Sequence, residues 1–482
     1  MIRNGRAPLA QRLPAPRAGI LYVTLLLLAA ALASVAIWGR NIGMAEDWHM
    51  VPAMTGNEEN LAGWIWSQNN EHRLPLQRVF YLGLLWLTGD FRAGMVFSQL
   101  LLAALGITLA RAAARARGCA CWRDALFPLA LLHLGHWENL VWGWQIQFVW
   151  SVVLTGLILA LVVRKPDPGL GAGLAAIVVL ALLPLSGANG IVMAAAMSPW
   201  LAAHGFARLG GARIGPWRFA PAAKHGSLWV GCIFVAGAVL PFLMIGVYFI
   251  GYERPPWSPP LATPYAFLRA AKDYFALALG PGTLRFSARL AALVLVSFIG
   301  LGAFFALRAA IGGRPEERLR ASGLVLFIGA GLALGLVIAL ARGSYDYRMP
   351  DRYALFAVLP LLGAAFAWEF YAPKRLGRTM VAALALSLIM LLPANTIGGF
   401  IWRNWYVDGM RSVEADIAAG IPIPELAERH YAFLLHWNKD HLRERMYMLH
   451  AAGIGPFADA ELCAPPCDAP LSPIDVESAP GG

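Results

Sequence analysis

Residues 18–38 read AGILYVTLLLLAAALASVAIW, with no charged side chain. A helix of about 20 apolar residues crosses the roughly 30 Å of hydrocarbon in a bilayer. The same bias runs through the chain of 482 residues, which is 59% hydrophobic and 14% charged, whereas soluble proteins carry about 25% charged residues. One soluble core cannot hold so much apolar surface, and disordered, collagen-like and small disulfide-rich proteins are excluded by the same figures. The sequence predicts an all-α, polytopic integral membrane protein.

Eleven apolar runs are predicted to span the membrane, each ended by charged or polar residues. The third, fifth and sixth are short for a full crossing. The runs are 18–38, 93–113, 124–138, 143–163, 169–186, 190–204, 228–250, 288–308, 322–341, 353–371 and 378–398.

Lysine and arginine set the orientation, because they concentrate in the short connections that follow every second span. The positive-inside rule then places the N-terminus in the cytoplasm and, with eleven spans, the C-terminus outside. The formal charge of +11 is an orientation signal, and no nucleic-acid partner is expected. If the outside is oxidising, Cys463 and Cys467 could form a disulfide bond. The predicted parts are a cytoplasmic N-terminus at 1–17, a transmembrane module at 18–398 with outside loop 1 at 39–92, and an outside helical tail at 399–482 with a disordered end.

The first polar cluster follows the first span. Glu46 and Asp47 come a few residues after its end, and His72 and Arg73 lie later in the same loop. A carboxylate held at the membrane surface beside a like charge has a raised pKa, which suits a general base. The alternative is a solvated loop, but this loop also carries several tryptophans, which are typical of an interface or a sugar site.

The second cluster lies at the outside turn between the third and fourth spans. The spacing of Glu138, Trp142 and Gln145 would put them on one face of a helix. A carboxylate, an amide and indoles at a membrane boundary suit a carbohydrate or its pyrophosphate, and the alternative for Gln145 is hydrogen bonding between helices. Glu138 needs a partner there, for which Arg73, Arg348 or a divalent metal ion are the candidates.

The third cluster opens the span 353–371. Arg342, Arg348 and Arg352 precede it, and Tyr353 begins it. Arginine donates paired hydrogen bonds to phosphate and stays charged. Arginines near helix ends also extend to the interface without any ligand, so a single one carries little information. Together the three predict a site for a lipid phosphate.

In order and spacing these features resemble the GT-C superfamily of membrane glycosyltransferases. Members such as the protein O-mannosyltransferases and the lipid A aminoarabinose transferases place an acidic pair just after the first span, as Glu46-Asp47 stands here. Their second acidic position, before the fourth span, is resembled by Glu138, and their Arg-Tyr entry to a late span by Arg352-Tyr353. Here Glu comes first in the pair, so either carboxylate is a candidate base, and Asp47 is favoured because its shorter side chain has fewer rotamers to immobilise.

The resemblance implies an inverting glycosyltransferase of the cytoplasmic (inner) membrane, working at its outer face. A sugar would move from a polyprenyl-phosphate donor to an envelope lipid, glycan or protein. Asp47 or Glu46 would be the catalytic base, and a divalent metal on Glu138 is left open. The implied substrate-binding residues are Glu138, His72, Arg73, Trp142, Gln145, Arg348, Arg352 and Tyr353.

Two other functions stay open. A transporter or flippase of lipid-linked or small polar substrates would carry charges at mid-membrane in broken, repeated helices. An O-antigen-type polymerase or ligase would be expected to use one large late outside loop, and the loop at 251–287 is modest in size. The sequence contains no glycine-rich nucleotide motif, which argues against ATP-driven or NAD-linked chemistry.

Overall fold

The computed structural model describes residues 16–462, except 210–212, 215–216, 219–227, 257, 259, 287, 346 and 347. The predicted cytoplasmic N-terminus therefore falls almost wholly outside the described residues. The end of the tail, with the predicted Cys463–Cys467 bond, also lies outside the described residues, as do residues 346 and 347, which lie between Arg342 and Arg348 in the sequence.

The described chain is all-α and polytopic, as the sequence predicts. Within it, nine helices are long and apolar enough to cross a membrane, so the protein is a multi-pass integral membrane protein. They are Pro16–Trp38, Arg92–Arg117, Gly143–Arg164, Ala188–Arg208, Leu228–Phe249, Ala288–Gly312, Pro315–Arg342, Asp351–Tyr371 and Lys374–Ala418.

The other two predicted spans are shorter. The fifth corresponds to an apolar helix, Leu170–Ser186. The third, predicted at 124–138, is not one helix, because its α-helical part ends at Leu131. The ring Nδ1 of His133 accepts a hydrogen bond from the Gly135 amide at 3.1 Å, and a Cβ on Gly135 would lie 2.9 Å from Asn395. The Gly135 amide therefore bonds to a side chain and not to a helical carbonyl, and Asn395 packs closely against the turn. The expectation of a continuous helical span at 124–138 was wrong.

Short elements connect the long helices. The α-helices are Val51–Met54, Leu61–Trp66, Pro75–Thr88, Leu126–Leu131, Trp137–Val141, Leu170–Leu182, Pro264–Ala276, Thr283–Phe286, Ile423–His430 and Lys439–Ala451. The 3₁₀ helices are Ala45–Met50, Trp122–Ala125, Gly143–Gln145, Leu183–Ser186, Leu277–Leu279, Asp351–Tyr353 and Gly455–Asp459. Two antiparallel strand pairs join Gln68–Asn69 to His72–Arg73 and Arg213–Ile214 to Trp217–Arg218.

The buried apolar residues form two cores. The larger one fills the space between the long helices. The smaller one joins loop 1 to residues 399–462, which we name the C-terminal segment. Trp48, Tyr81, Met410 and Leu442 are among the members of this core. The helix Lys374–Ala418 crosses the predicted boundary at 398 without a break. The C-terminal segment is therefore packed against loop 1 and forms one structural unit with it.

Candidate functional site

The acidic pair lies on the 3₁₀ helix Ala45–Met50, directly after the first span. Asp47 is fully buried. Its Oδ1 accepts a hydrogen bond from the Tyr81 hydroxyl at 2.8 Å, and its Oδ2 accepts one from the Met44 amide at 3.1 Å. Burial raises the pKa of Asp47 to about 7 although these bonds stabilise the anion. Both oxygens are thus engaged inside the protein.

Glu46 points the other way. It lines two cavities that the structure contains, which we name cavity A and cavity B. Its Oε2 is buried and makes no hydrogen bond to the described residues. Burial raises the pKa of Glu46, and the positive charge of Arg352 opposes that rise. A buried carboxylate oxygen without a partner, on a side chain that lines two cavities, is uncommon in folded proteins and marks Glu46 as a candidate functional residue.

Cavities A and B have volumes of about 390 and 1090 Å³ and share one wall. The shared residues are Glu46, Asn69, Asn70, Trp142 and Arg352. Two ligands, one in each cavity, would therefore meet at the Glu46 carboxylate and the Arg352 guanidinium.

Cavity A combines cations with an apolar wall. Its cationic side carries Arg254 and Arg342 in addition to Arg352. Part of its apolar side comes from the helix Pro315–Arg342, where Val337 is 54% exposed and so faces the outside of the helix bundle. The other apolar residues that line the cavity include Leu334, Ile338 and Ala341 of the same helix and Leu74, Phe148, Ala188, Val192 and Leu261 of other segments. Such a cavity suits a phosphate with an attached hydrocarbon chain.

The second and third polar clusters meet in an ion pair. Nη1 of Arg352 lies 3.0 Å from Oε1 of Glu138, and the Arg352 backbone amide donates to Oε2 at 2.5 Å. Trp137 and Arg348 both bind the Asp351 carboxylate, at 3.2 and 3.4 Å. The partner that Glu138 needs is therefore Arg352, which was not among the candidates named for it.

The residues do not fit a metal ion on Glu138. Both of its oxygens are occupied by Arg352. In the described part of the chain, no three His, Cys, Asp or Glu side chains lie close enough together to hold a metal ion.

The predicted helix face of Glu138, Trp142 and Gln145 does not exist. Trp142 has extended backbone, with φ −132° and ψ 110°, and separates the helix Trp137–Val141 from the next turn. The structure nevertheless places Glu138 and Trp142 next to Arg352, whose guanidinium lies 5.7 Å from the Trp142 ring, and Gln145 lines cavity A together with Arg352.

Two residues predicted to bind substrate have different environments. His72 lines cavity A, where burial lowers the pKa of its ring and its Nδ1 has no hydrogen-bond partner in the described residues. Arg73 lines neither cavity. Its guanidinium donates to the carbonyl oxygens of Trp66, Tyr248, Ile250 and Gly251 at 2.9–3.0 Å. Arg73 therefore fastens loop 1 to the end of the helix Leu228–Phe249.

Tyr353 and Arg348, which were both predicted to bind substrate, line different cavities. Tyr353 lines cavity A, and its hydroxyl accepts a hydrogen bond from Nε of Arg342 at 3.1 Å. Arg348 lines cavity B.

No family model, curated protein or solved structure matches this chain significantly.

Sequence reasoning missed one part of the site. The C-terminal segment contributes Leu435, Trp437, His441 and Arg445 to cavity B. The available signal was the presence of tryptophan, histidine and arginine within ten residues of the predicted outside helical tail, at Trp437, His441 and Arg445. What the sequence did not reveal is that this segment folds back onto loop 1.

The arrangement suits transfer between two bound molecules. A carboxylate with a raised pKa is a stronger base than an ordinary one and can take a proton from a nucleophile. Guanidinium groups across the same wall can stabilise an anionic leaving group.

Proposed function

We propose that this protein is an inverting glycosyltransferase that moves a sugar from a polyprenyl-phosphate donor to an envelope acceptor. The observation that carries the proposal is the position of Glu46, whose free carboxylate oxygen lies in the wall between a cationic, partly apolar cavity and a larger one. In this proposal the fold is GT-C-like, the N-terminus is cytoplasmic, and the site faces the outer side of the cytoplasmic membrane.

The donor occupies cavity A. Its phosphate lies against Arg342 and Arg352, and its hydrocarbon chain leaves along the helix Pro315–Arg342 toward the bilayer. Arg352 is well suited to this because Glu138 fixes its backbone amide and one guanidinium nitrogen. Holding the guanidinium in place before the donor arrives reduces the entropy lost on binding.

The acceptor hydroxyl approaches from cavity B. Glu46 takes its proton while the oxygen attacks the anomeric carbon, and the bond from that carbon to the phosphate oxygen breaks. The leaving polyprenyl phosphate keeps the electron pair, and its charge is stabilised by Arg352 and Arg342. Attack from the face opposite the phosphate inverts the anomeric centre.

Asp47 has a positioning role in this proposal. Both of its oxygens accept hydrogen bonds from the protein and it lines neither cavity. It fixes the turn that presents Glu46. We therefore assign the base to Glu46, the second choice from the sequence, instead of Asp47.

The test is Glu46→Gln in purified protein reconstituted into nanodiscs. Transfer is followed with radiolabelled polyprenyl-phosphate hexoses and pentoses and an envelope extract as acceptor. Loss of the general base is expected to lower the transfer rate by about 10²–10⁴-fold, with polyprenyl phosphate still bound. Glu59→Gln is the matched control, because Glu59 is exposed in the same loop and lines neither cavity. Wild-type activity in Glu46→Gln would refute the assignment of the base, and failure of the wild-type protein to bind polyprenyl phosphate would refute the donor class.

A further inference from the structure

Cavity B has a wall of tryptophan rings that the transfer chemistry does not use. Trp402 and Trp405 are each 38% exposed and Trp437 is 57% exposed, and all three line the cavity. Trp402 stacks on Trp137 with ring centroids 5.1 Å apart, which holds it in place. An indole face is electron-rich and attracts the polarised C–H groups on one face of a sugar ring. Cavity B therefore offers stacking surfaces for a saccharide.

Arg445 adds a positive charge to the same wall. Its Nη1 donates to Nε2 of His436 at 2.6 Å. Burial lowers the pKa of Arg445 to about 10, so that it stays charged at pH 7. No carboxylate of the described chain forms an ion pair with it, whereas Arg443, two residues earlier, pairs with Asp440 at 2.9 Å. A half-buried guanidinium with donors to spare favours an anionic ligand.

The backbone around cavity B is strained. Ala45, Asn70 and Leu435 have φ of 48°, 49° and 55°, and no other non-glycine residue in the described chain has a positive φ. All three line cavity B. Such conformations are unfavourable for residues with a side chain and persist where the surrounding structure enforces them, which is typical of binding sites. The Ala45 amide donates to the Leu434 carbonyl at 2.7 Å, so the C-terminal segment contacts the turn that carries Glu46.

We propose that the C-terminal segment binds an acidic saccharide in cavity B, with the sugar ring against Trp437 and its carboxylate or phosphate on Arg445. Glu46 lines the same cavity and is reached by a hydroxyl of that saccharide. That this saccharide is the acceptor rests on the proposed function, whereas its binding does not.

The probes are methyl β-D-glucuronide and its neutral counterpart, methyl β-D-glucoside. Saturation-transfer NMR on the protein in phosphatidylcholine nanodiscs gives a Kd for each. Arg445→Gln is expected to raise the Kd of the glucuronide at least tenfold and to leave that of the glucoside unchanged, since only the charged contact is lost. Trp437→Ala is expected to weaken both. Equal affinity of the wild-type protein for the two probes would overturn the acidic part of the proposal.

Matched variants separate the site from general effects. Arg443→Gln removes a neighbouring guanidinium that does not line cavity B, and Trp229→Ala removes an exposed indole elsewhere. Both should bind the probes as the wild-type protein does. The same titration in nanodiscs that contain phosphatidylglycerol tests the other source of an anion, and displacement of the glucuronide by this lipid would overturn the proposal in favour of a lipid headgroup.

Failure of this inference is distinguishable from failure of the proposed function. Glu46→Gln should keep glucuronide binding and lose transfer. If the glucuronide binds in an Arg445-dependent way and no polyprenyl-phosphate sugar is transferred, the saccharide site stands and the proposed function fails. If transfer occurs and Arg445→Gln leaves the acceptor KM unchanged, the proposed function stands and the acidic saccharide is refuted as the acceptor.

Discussion

Tyr81→Phe is expected to destabilise the protein, and to do so more at pH 8 than at pH 5. The Tyr81 hydroxyl donates to Asp47 at 2.8 Å, and neither residue is exposed to solvent. The pKa of Asp47 is raised from 3.8 to about 7, with burial as the largest cause, and the bond from Tyr81 is the largest effect in the opposite direction. Without this hydroxyl the pKa of Asp47 should rise further.

The sign and size follow from this environment. A carboxyl whose pKa is raised on folding contributes most stability below its unfolded pKa, and loses it as the pH rises through the folded value. At pH 5 Asp47 is protonated, and the variant loses a neutral hydrogen bond, about 1 kcal/mol. At pH 8 the wild-type carboxylate is mostly ionised, and removal of its donor costs up to about 1.4 kcal/mol more, which is the free energy that one pH unit above the pKa supplies to the ionised form.

The free energy of unfolding is measured by denaturant titration in mixed micelles at both pH values, with tryptophan fluorescence as the signal. Tyr265→Phe is the control, because Tyr265 is 79% exposed and makes no hydrogen bond within the described chain. The difference between variant and wild type should be larger at pH 8 by about 1 kcal/mol. A difference that is equal at the two pH values would refute the reasoning that Asp47 is a buried, protein-satisfied carboxyl.

Three further outcomes are expected. Gly143→Ala should lower the free energy of unfolding by about 1–3 kcal/mol, because the added Cβ would lie 2.1 Å from the Tyr81 hydroxyl oxygen. In the same denaturant titration, Gly83→Ala should be neutral or stabilising, because a Cβ at Gly83 meets nothing within 4 Å. The transfer rate should rise with pH through the raised pKa of Glu46, since only the ionised form accepts a proton, and a rate that falls over this range would contradict its role as base. Arg73→Lys should increase proteolysis of the connection after the helix Leu228–Phe249 and leave the donor KM unchanged, because Arg73 contacts backbone carbonyls and neither cavity.

The spans were predictable because hydrocarbon length and helix geometry leave few solutions. The failure at 124–138 has a local cause. Hydropathy averages over a window, whereas a bond from the Gly135 amide to the His133 ring acts on one turn. A helix break of this kind depends on a partner such as Asn395, which is distant in the sequence and cannot be seen in a hydropathy profile.

The site was predictable in its residue types and less so in its pairings. Charged groups near a membrane need partners, which correctly marked Glu138 as a residue that must be paired. Which arginine serves it depends on the packing of two turns 214 residues apart in the chain. Arg73 was predicted to bind substrate, but its guanidinium donates to backbone carbonyl oxygens. A buried arginine can be satisfied by carbonyl oxygens alone, and residue type does not distinguish this environment from a phosphate site.

Glu46 and Asp47 are adjacent in the sequence, but the backbone turn that carries them gives their carboxylates different environments. The number of side-chain rotamers favours Asp47, but the Ala45–Met50 turn is a 3₁₀ helix, in which successive side chains diverge by about 120°. One of the two must therefore point into the protein when the other points into the cavity. The side facing Tyr81 is dry and supplies two donors, which satisfies the shorter carboxylate, whereas the side facing the cavities leaves an oxygen of Glu46 without a partner. Turn geometry thus assigns the free carboxylate, and the C-terminal segment, which bonds to Ala45 through Leu434, helps to hold that turn in its strained conformation.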